Sequence, residues 1–270
     1  MEVKALIEIL NELVPGVELR PVPSGWATLD LFSIGVAVDP TPENLRAAAD
    51  HQVDLLLTYH PWTGEAEAQL KGGKLRVLAI HGAWDYAPEG LVQDLIATTG
   101  LTEVVRHDEV IVGNSDLTLR ALIEASQRAL RSPVVPYYGE LRSPVQRVGI
   151  FPGAGFLPHR RSLWEACLQY GCDTLLSGEL TMAALRFAAI HRLKLVDLGH
   201  SAAAKASMEK FRRQLEERVA GAGVAVSWFD DLYTGNYLTN YSIADGYSAG
   251  LAELDEDDTL SLFAFLDKTE

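Results

Sequence analysis

The feature that most constrains the fold is a repeated exchange between two hydrophobic periods. Short apolar runs such as "SIGVAV", "VDLLLTY", "RVLAI", "RVGIF", "DTLLS" and "LKLVDL" alternate with longer segments whose apolar residues recur every three to four positions. A short apolar run bounded by turn residues suits a strand buried on both faces, and the longer period suits helices. Strands separated by helices join in parallel, because a parallel partner requires a crossover long enough to hold one. The expected class is α/β: two linked three-layer α/β lobes with mostly parallel mixed sheets.

Local signals place the elements. Leu6, Ile7, Leu10 and Leu13 stripe a first helix that Pro15 and Gly16 end. In "PTPENLRAAADHQ", Thr41 is the expected cap and Pro42 the first helical residue. "GLVQDLIATTG" reads as a helix ending near Gly100, and "GNSDLTLRALIEA" as one capped by Ser115 or Asp116. "HRRSLWEACLQYG", closed by Gly171, "TMAALRFAAIHR" and "SAAAKASMEKFRRQLEERVAG" continue the helices, and "VAVSWFD" follows as a strand. Both halves share the order strand, turn, helix, strand. The expected division is a first lobe over 1–125 and a second over 126–270, joined within "SQRALRSPVVPYYGELRSP". The final segment carries an acidic turn and the strand-like "TLSLFAFL"; its lobe stays open, a return to the first included.

Composition narrows the function classes. The 270 residues are 48% hydrophobic, enough for one large domain or two compact lobes. Asp and Glu total 37 against 23 Lys and Arg, a formal charge of -14. That balance disfavours nonspecific binding to nucleic acid or anionic membrane and leaves metal ions and small ligands open. Cys167 and Cys172 do not form a secreted-type disulfide framework and read as core fillers. "MEVKALIEILNELV" lacks the apolar run of a secretory signal, and no stretch reaches membrane-span length, so a cytoplasmic location is expected.

Polar side chains gather where sites form in α/β sheets, beyond the carboxyl ends of strands. Tyr59 and His60 follow "VDLLLT", and His81 follows "LRVLAI" with Asp85 four residues on. Glu179 follows "DTLLSG", His200 follows "LKLVDLG", and Asp39 ends an earlier strand. Imidazole with carboxylate suits one divalent ion such as Zn, Mn, Fe, Co or Ni. The candidate metal ligands are His60, Asp85 and His200, with Glu179 placed to orient water or bind substrate. Each residue also has a plain reading as a cap or a strand-end hydrogen-bonding group. The basic run His159-Arg160-Arg161 reads as solvated surface or as a phosphate contact. "FPGAGFLP" lacks dinucleotide-binding spacing and the P-loop lysine. Trp62 and Trp84 read as packing or pocket walls.

The combination Tyr59-His60-Pro61, His81-Gly82-Ala83-Trp84-Asp85, Gly153 to Gly155, Ser177-Gly178-Glu179 and Gly199-His200 resembles the NIF3-like family, also called GTP cyclohydrolase 1 type 2 homologues. The resemblance covers roughly residues 25 to 230. It implies two linked lobes with a metal site in their cleft and a ring-like homo-oligomer, often a hexamer. The family pattern has His-His-Pro, both histidines serving a dinuclear site; here the first is Tyr59. A bridging glutamate four residues after the later histidine is Ala204 here, and Thr181-Met182-Ala183 offers no imidazole. Two close cations would lack the carboxylate that offsets their repulsion, so one metal or none is expected. A tyrosine binds metal only as phenolate, which is unfavourable near neutral pH. The expected function is a degenerate scaffold or small-ligand-binding protein. The alternative is a single-metal hydrolase of a nucleotide-like or other small polar substrate; the expected ligand class is small polar or phosphate-bearing.

Overall fold

The computed structural model describes residues 1–14, 26, 28–61, 75–80, 84–132 and 134–229. All fall within the compact unit Met1–Asp231. The expected strand "TLSLFAFL" lies outside them, as do Trp62 and His81.

The first sheet is wholly parallel. Strands β1 (Ser33–Ala37), β2 (Leu55–Thr58), β3 (Arg76–Ala79) and β10 (Ala225–Trp228) run in the order β10-β1-β2-β3. Alternate residues face opposite layers. Ile34, Val36, Leu55 and Leu57 point into one core with helices α1 (Val3–Leu13) and α7 (His200–Val219). Ala37, Leu56 and Val77 face a smaller core with α2 (Pro42–Asp50). Thr41 caps α2 as expected, its hydroxyl accepting from the Asn44 amide at 3.1 Å.

The second sheet is mixed. It contains β4 (Thr102–His107), β5 (Val110–Asn114), β6 (Tyr137–Tyr138), β7 (Arg147–Ile150), β8 (Thr174–Ser177) and β9 (Lys194–Asp197), in the order β4-β5-β7-β8-β9-β6. The central β7, β8 and β9 are parallel, while β4, β5 and β6 join antiparallel. Ile111, Val148, Ile150, Leu176 and Val196 pack on α3 (Leu91–Thr99) and α4 (Leu119–Leu130). Val112, Leu175 and Leu195 pack on α5 (Arg161–Gln169) and α6 (Met182–His191). Both sheets are thus middle layers between helices.

Two details differ from the sequence reading. Sheet membership does not change at residue 125: β4 and β5 already belong with the later strands, and β10 returns to β1. The cap of α4 is Thr118, whose hydroxyl accepts from the Ala121 amide at 3.3 Å. Ser115 closes the turn before it by accepting from the Leu117 amide at 3.2 Å. Trp84 is fully buried, its indole N–H donating to the Ser207 carbonyl at 3.2 Å and its ring meeting Phe211 edge-on. No helix among the described residues is long and apolar enough to cross a membrane.

Candidate functional site

The carboxyl ends of parallel strands from both sheets meet at one polar cluster. Past β1 the chain turns at Asp39, and past β2 at Tyr59 and His60. The His60 amide donates to the Val38 carbonyl at 3.0 Å, and the Thr58 hydroxyl to the His60 carbonyl at 2.8 Å. These bonds hold the imidazole at the rim of the sheet. On the other side, Glu179 follows β8 and His200 opens α7.

The turns of the second sheet are laced together. Ser177 Oγ donates to the Phe151 carbonyl at 2.6 Å, and the Gly178 amide to the Gly153 carbonyl at 3.0 Å. Asp197, at the end of β9, accepts from the Leu180 amide at 2.9 Å and the Gly199 amide at 2.8 Å. One carboxylate therefore positions both the Glu179 turn and the start of α7. Glu179 itself adopts φ of 65°, a left-handed conformation uncommon for a glutamate. Strain of this kind persists where the surroundings over-determine it, and it concentrates at functional sites. Gly178 is required by space: a Cβ there would lie 2.8 Å from the Gly153 carbonyl oxygen and 3.0 Å from the His200 amide nitrogen.

Four side chains then form a chain of polar contacts. His60 Nδ1 donates to Asp39 Oδ1 at 2.6 Å, and His60 Nε2 lies 3.0 Å from His200 Nε2. His200 Nδ1 lies 3.4 Å from Glu179 Oε1. Each imidazole thus has a carboxylate behind its Nδ1 and turns its Nε2 toward the other. A carboxylate behind one ring nitrogen orients a histidine and raises the basicity of the opposite nitrogen. Two Nε2 lone pairs repel at 3.0 Å unless a proton or a cation lies between them. Burial, with His60 alongside, pushes His200 below its ordinary histidine value, while Glu179 opposes this. The neutral ring is favoured, and that is the form with a lone pair to give.

Asp85 is engaged elsewhere. It is buried, and the Tyr59 hydroxyl lies 2.7 Å from both of its carboxylate oxygens, donating its single proton to the pair. Burial raises Asp85 from an ordinary 3.8 to about 6, partly offset by the Tyr59 hydrogen bond and by His60. Tyr59 is pushed far up by burial and by Asp85, so its phenol stays protonated and offers no phenolate. The Tyr59 ring meets His60 edge-on with centroids 4.7 Å apart. Ala204, one turn after His200, is buried in the same core as Tyr59 and Trp84, where a charged side chain would be desolvated.

The structure therefore brings His60 and His200 into contact and sets Glu179 against His200. Two contacts were missed by sequence reasoning. The sequence marks Asp39 only as a strand end and does not mark Asp197. Their signal was a carboxylate closing an apolar strand just before a turn. Among the described residues, no group of three or more His, Cys, Asp or Glu side chains is arranged to hold a metal ion. Two imidazoles fit an anchor for one cation, since about 2.0–2.1 Å to each nitrogen is the usual zinc bond. They fall short of the three protein ligands of a catalytic zinc site.

Three further basic side chains make their contacts outside this cluster. Arg160 pairs with Glu109, Arg161 Nε lies 2.9 Å from Glu165 Oε1, and His107 stacks on Tyr170 at 3.9 Å.

Comparison with known proteins agrees with this architecture. The GTP cyclohydrolase 1 type 2 homolog of Clostridium perfringens is 19% identical over 248 residues, 81% of this chain and 93% of that protein. Reduced HcgD from Methanocaldococcus jannaschii has a TM-score of 0.72 at 19% identity, covering 84% of this chain and 97% of its own. A hypothetical protein of Staphylococcus aureus has a TM-score of 0.67 at 17% identity, covering 86% and 96%. At these identities the structural likeness speaks for the fold. The family model Duf34/NIF3 (NGG1p interacting factor 3) matches residues 1–231, most of the chain, and the chain belongs to that family.

Proposed function

We propose that this chain is a scaffold or small-ligand-binding member of its family, in which the metal centre is reduced to a two-imidazole anchor. The observation that carries the reading is the Tyr59–Asp85 hydrogen bond. It gives the Asp85 carboxylate a fixed protein partner and keeps the phenol protonated. His60 and His200 would hold any cation, and a bound cation would act as a Lewis acid toward an oxygen-bearing ligand. Asp39 and Glu179 fix the ring orientations. A polar or phosphate-bearing ligand is the class such a site would take. A homo-oligomer, on the family pattern a hexamer, and a cytoplasmic location belong to the same proposal.

The second reading, a single-metal hydrolase in which Asp85 completes the ligand set and Glu179 assists water, is favoured by one feature. Both histidines are backed by carboxylates, the arrangement that supports metal-bound imidazole. Turnover separates the readings. The chelator-stripped chain is assayed on phosphate esters and nucleotides, with and without Zn, Mn, Fe, Co and Ni. The scaffold reading predicts no turnover above background in any sample. Turnover that requires metal and disappears in both His60→Ala and Asp85→Asn would overturn it in favour of the hydrolase.

A further inference from the structure

Helix α5 ends in a turn that forces two particular side chains together. The Cys172 amide donates to the Cys167 carbonyl at 3.0 Å, the Gly171 amide donates to the Leu168 carbonyl at 3.0 Å, and Gly171 has φ of 74°. This is the paired hydrogen-bond pattern of a Schellman motif, which brings the side chain three residues inside the helix end against the one two residues beyond it. Those positions are usually both apolar. Here they are Cys167 and Cys172, and both are free thiols.

The neighbouring strand confirms the convergence. A Cβ at Gly149 of β7 would lie 2.6 Å from Cys167 Sγ and 3.3 Å from Cys172 Sγ. Both sulfurs occupy the space that the glycine leaves open. Cys167 is wholly buried and Cys172 is 5% exposed, so a small reagent arrives from the Cys172 side. The Cys167 thiol alongside, opposed by burial, holds Cys172 below its ordinary thiol value, and Arg147 adds to this while Asp173 opposes it. Cys167 is pushed up by Cys172 alongside and by burial. Arg147 Nε also donates to the Tyr170 carbonyl at 2.7 Å, placing positive charge at the negative end of α5. Cys172, the more exposed of the two and the one beside Arg147, is suited to attack, and Cys167 to resolve.

We propose that Cys167 and Cys172 are a reversible redox couple, oxidised by hydroperoxides to an intramolecular disulfide across the end of α5. The Cys172 thiolate attacks one peroxide oxygen. The O–O bond breaks, the sulfur keeps that oxygen as sulfenic acid, and the other oxygen leaves and takes up a proton. The Cys167 sulfur then attacks the sulfenic sulfur. The S–S bond forms as the S–O bond breaks, and hydroxide leaves with the Cys167 proton as water. The two thiols supply the two electrons that reduce the peroxide. The bond would staple α5 to the start of β8, the strand that carries Glu179 at its far end. This site is independent of the two-histidine anchor.

The test uses the full reduced chain, treated with hydrogen peroxide, then denatured and alkylated before mass analysis. The expected result is loss of both alkylatable thiols together, a mass lower by two hydrogens and a cross-linked Cys167–Cys172 peptide, all reversed by dithiothreitol. In Cys167→Ala, Cys172 should instead accumulate as a sulfenic acid that dimedone traps. Parent protein in which both thiols remain alkylatable while methionine oxidises would overturn the proposal. A persistent Cys172 sulfenic acid beside an alkylatable Cys167 in the parent would do the same.

Discussion

At the scale of single residues, Tyr59 has the largest consequence. The backbone of its turn presents the next residue, His60, to the site, while its own ring is buried and its hydroxyl reaches Asp85. The carboxyl it meets has a thermodynamic effect of its own, which comes from burial and which the Tyr59 hydrogen bond partly offsets. Asp85 stands at about 6 rather than 3.8, so the folded chain binds that proton more tightly than the unfolded chain does. Stability from this proton is complete below about pH 4 and is lost as pH rises through about 6. A shift of about two units corresponds to an order of 3 kcal/mol. Asp85→Asn stays neutral and can still accept from Tyr59. Urea unfolding across this range should show the parent losing stability relative to Asp85→Asn as pH rises. Parallel curves for the two proteins would refute the assignment.

At the scale of elements, the site depends on how closely the β8 turn seats against the loop after β7 and the start of α7. Gly178 is the contact point, and Gly178→Ala forces its new methyl group on backbone atoms that cannot rotate away. The expected cost is about 1–3 kcal/mol, typical of overpacking, read by urea unfolding. A change below about 0.5 kcal/mol, the range of ordinary surface substitutions, would mean the turn has slack. Most elements were legible because burial on both faces writes a continuous apolar run, and helices write a longer period. The β4–β5 hairpin was not. Thr102 to Arg106 are all exposed, so β4 carries no alternation, and a bulge between Thr102 and Val105 disrupts its register. The cap of α4 was misplaced because Ser115, Asp116 and Thr118 all have capping chemistry. Only the backbone path decides among them.

At the scale of the whole molecule, α7 joins the two sheets. Its first residue, His200, faces His60, and Met208, Phe211 and Leu215 further along enter the core of the first sheet. The chain thereby brings together residues 140 positions apart. Strand-end placement made His60 and His200 visible in the sequence. Their partners were not, because which strand ends face one another is set by how the sheets are joined. Local pattern could not foresee that Asp39 would back His60, or that Tyr59 would take Asp85. The central claim is that this pairing leaves a two-imidazole anchor in place of a full metal centre. The most direct measurement is metal content per chain by elemental mass spectrometry. The parent, His60→Ala, His200→Ala and Asp85→Ala are each supplied with Zn, Mn, Fe, Co and Ni and then desalted. The account predicts well under one metal per parent chain, less still in the histidine variants and no change in Asp85→Ala. One or two metals per chain that survive desalting and are lost in Asp85→Ala would contradict it.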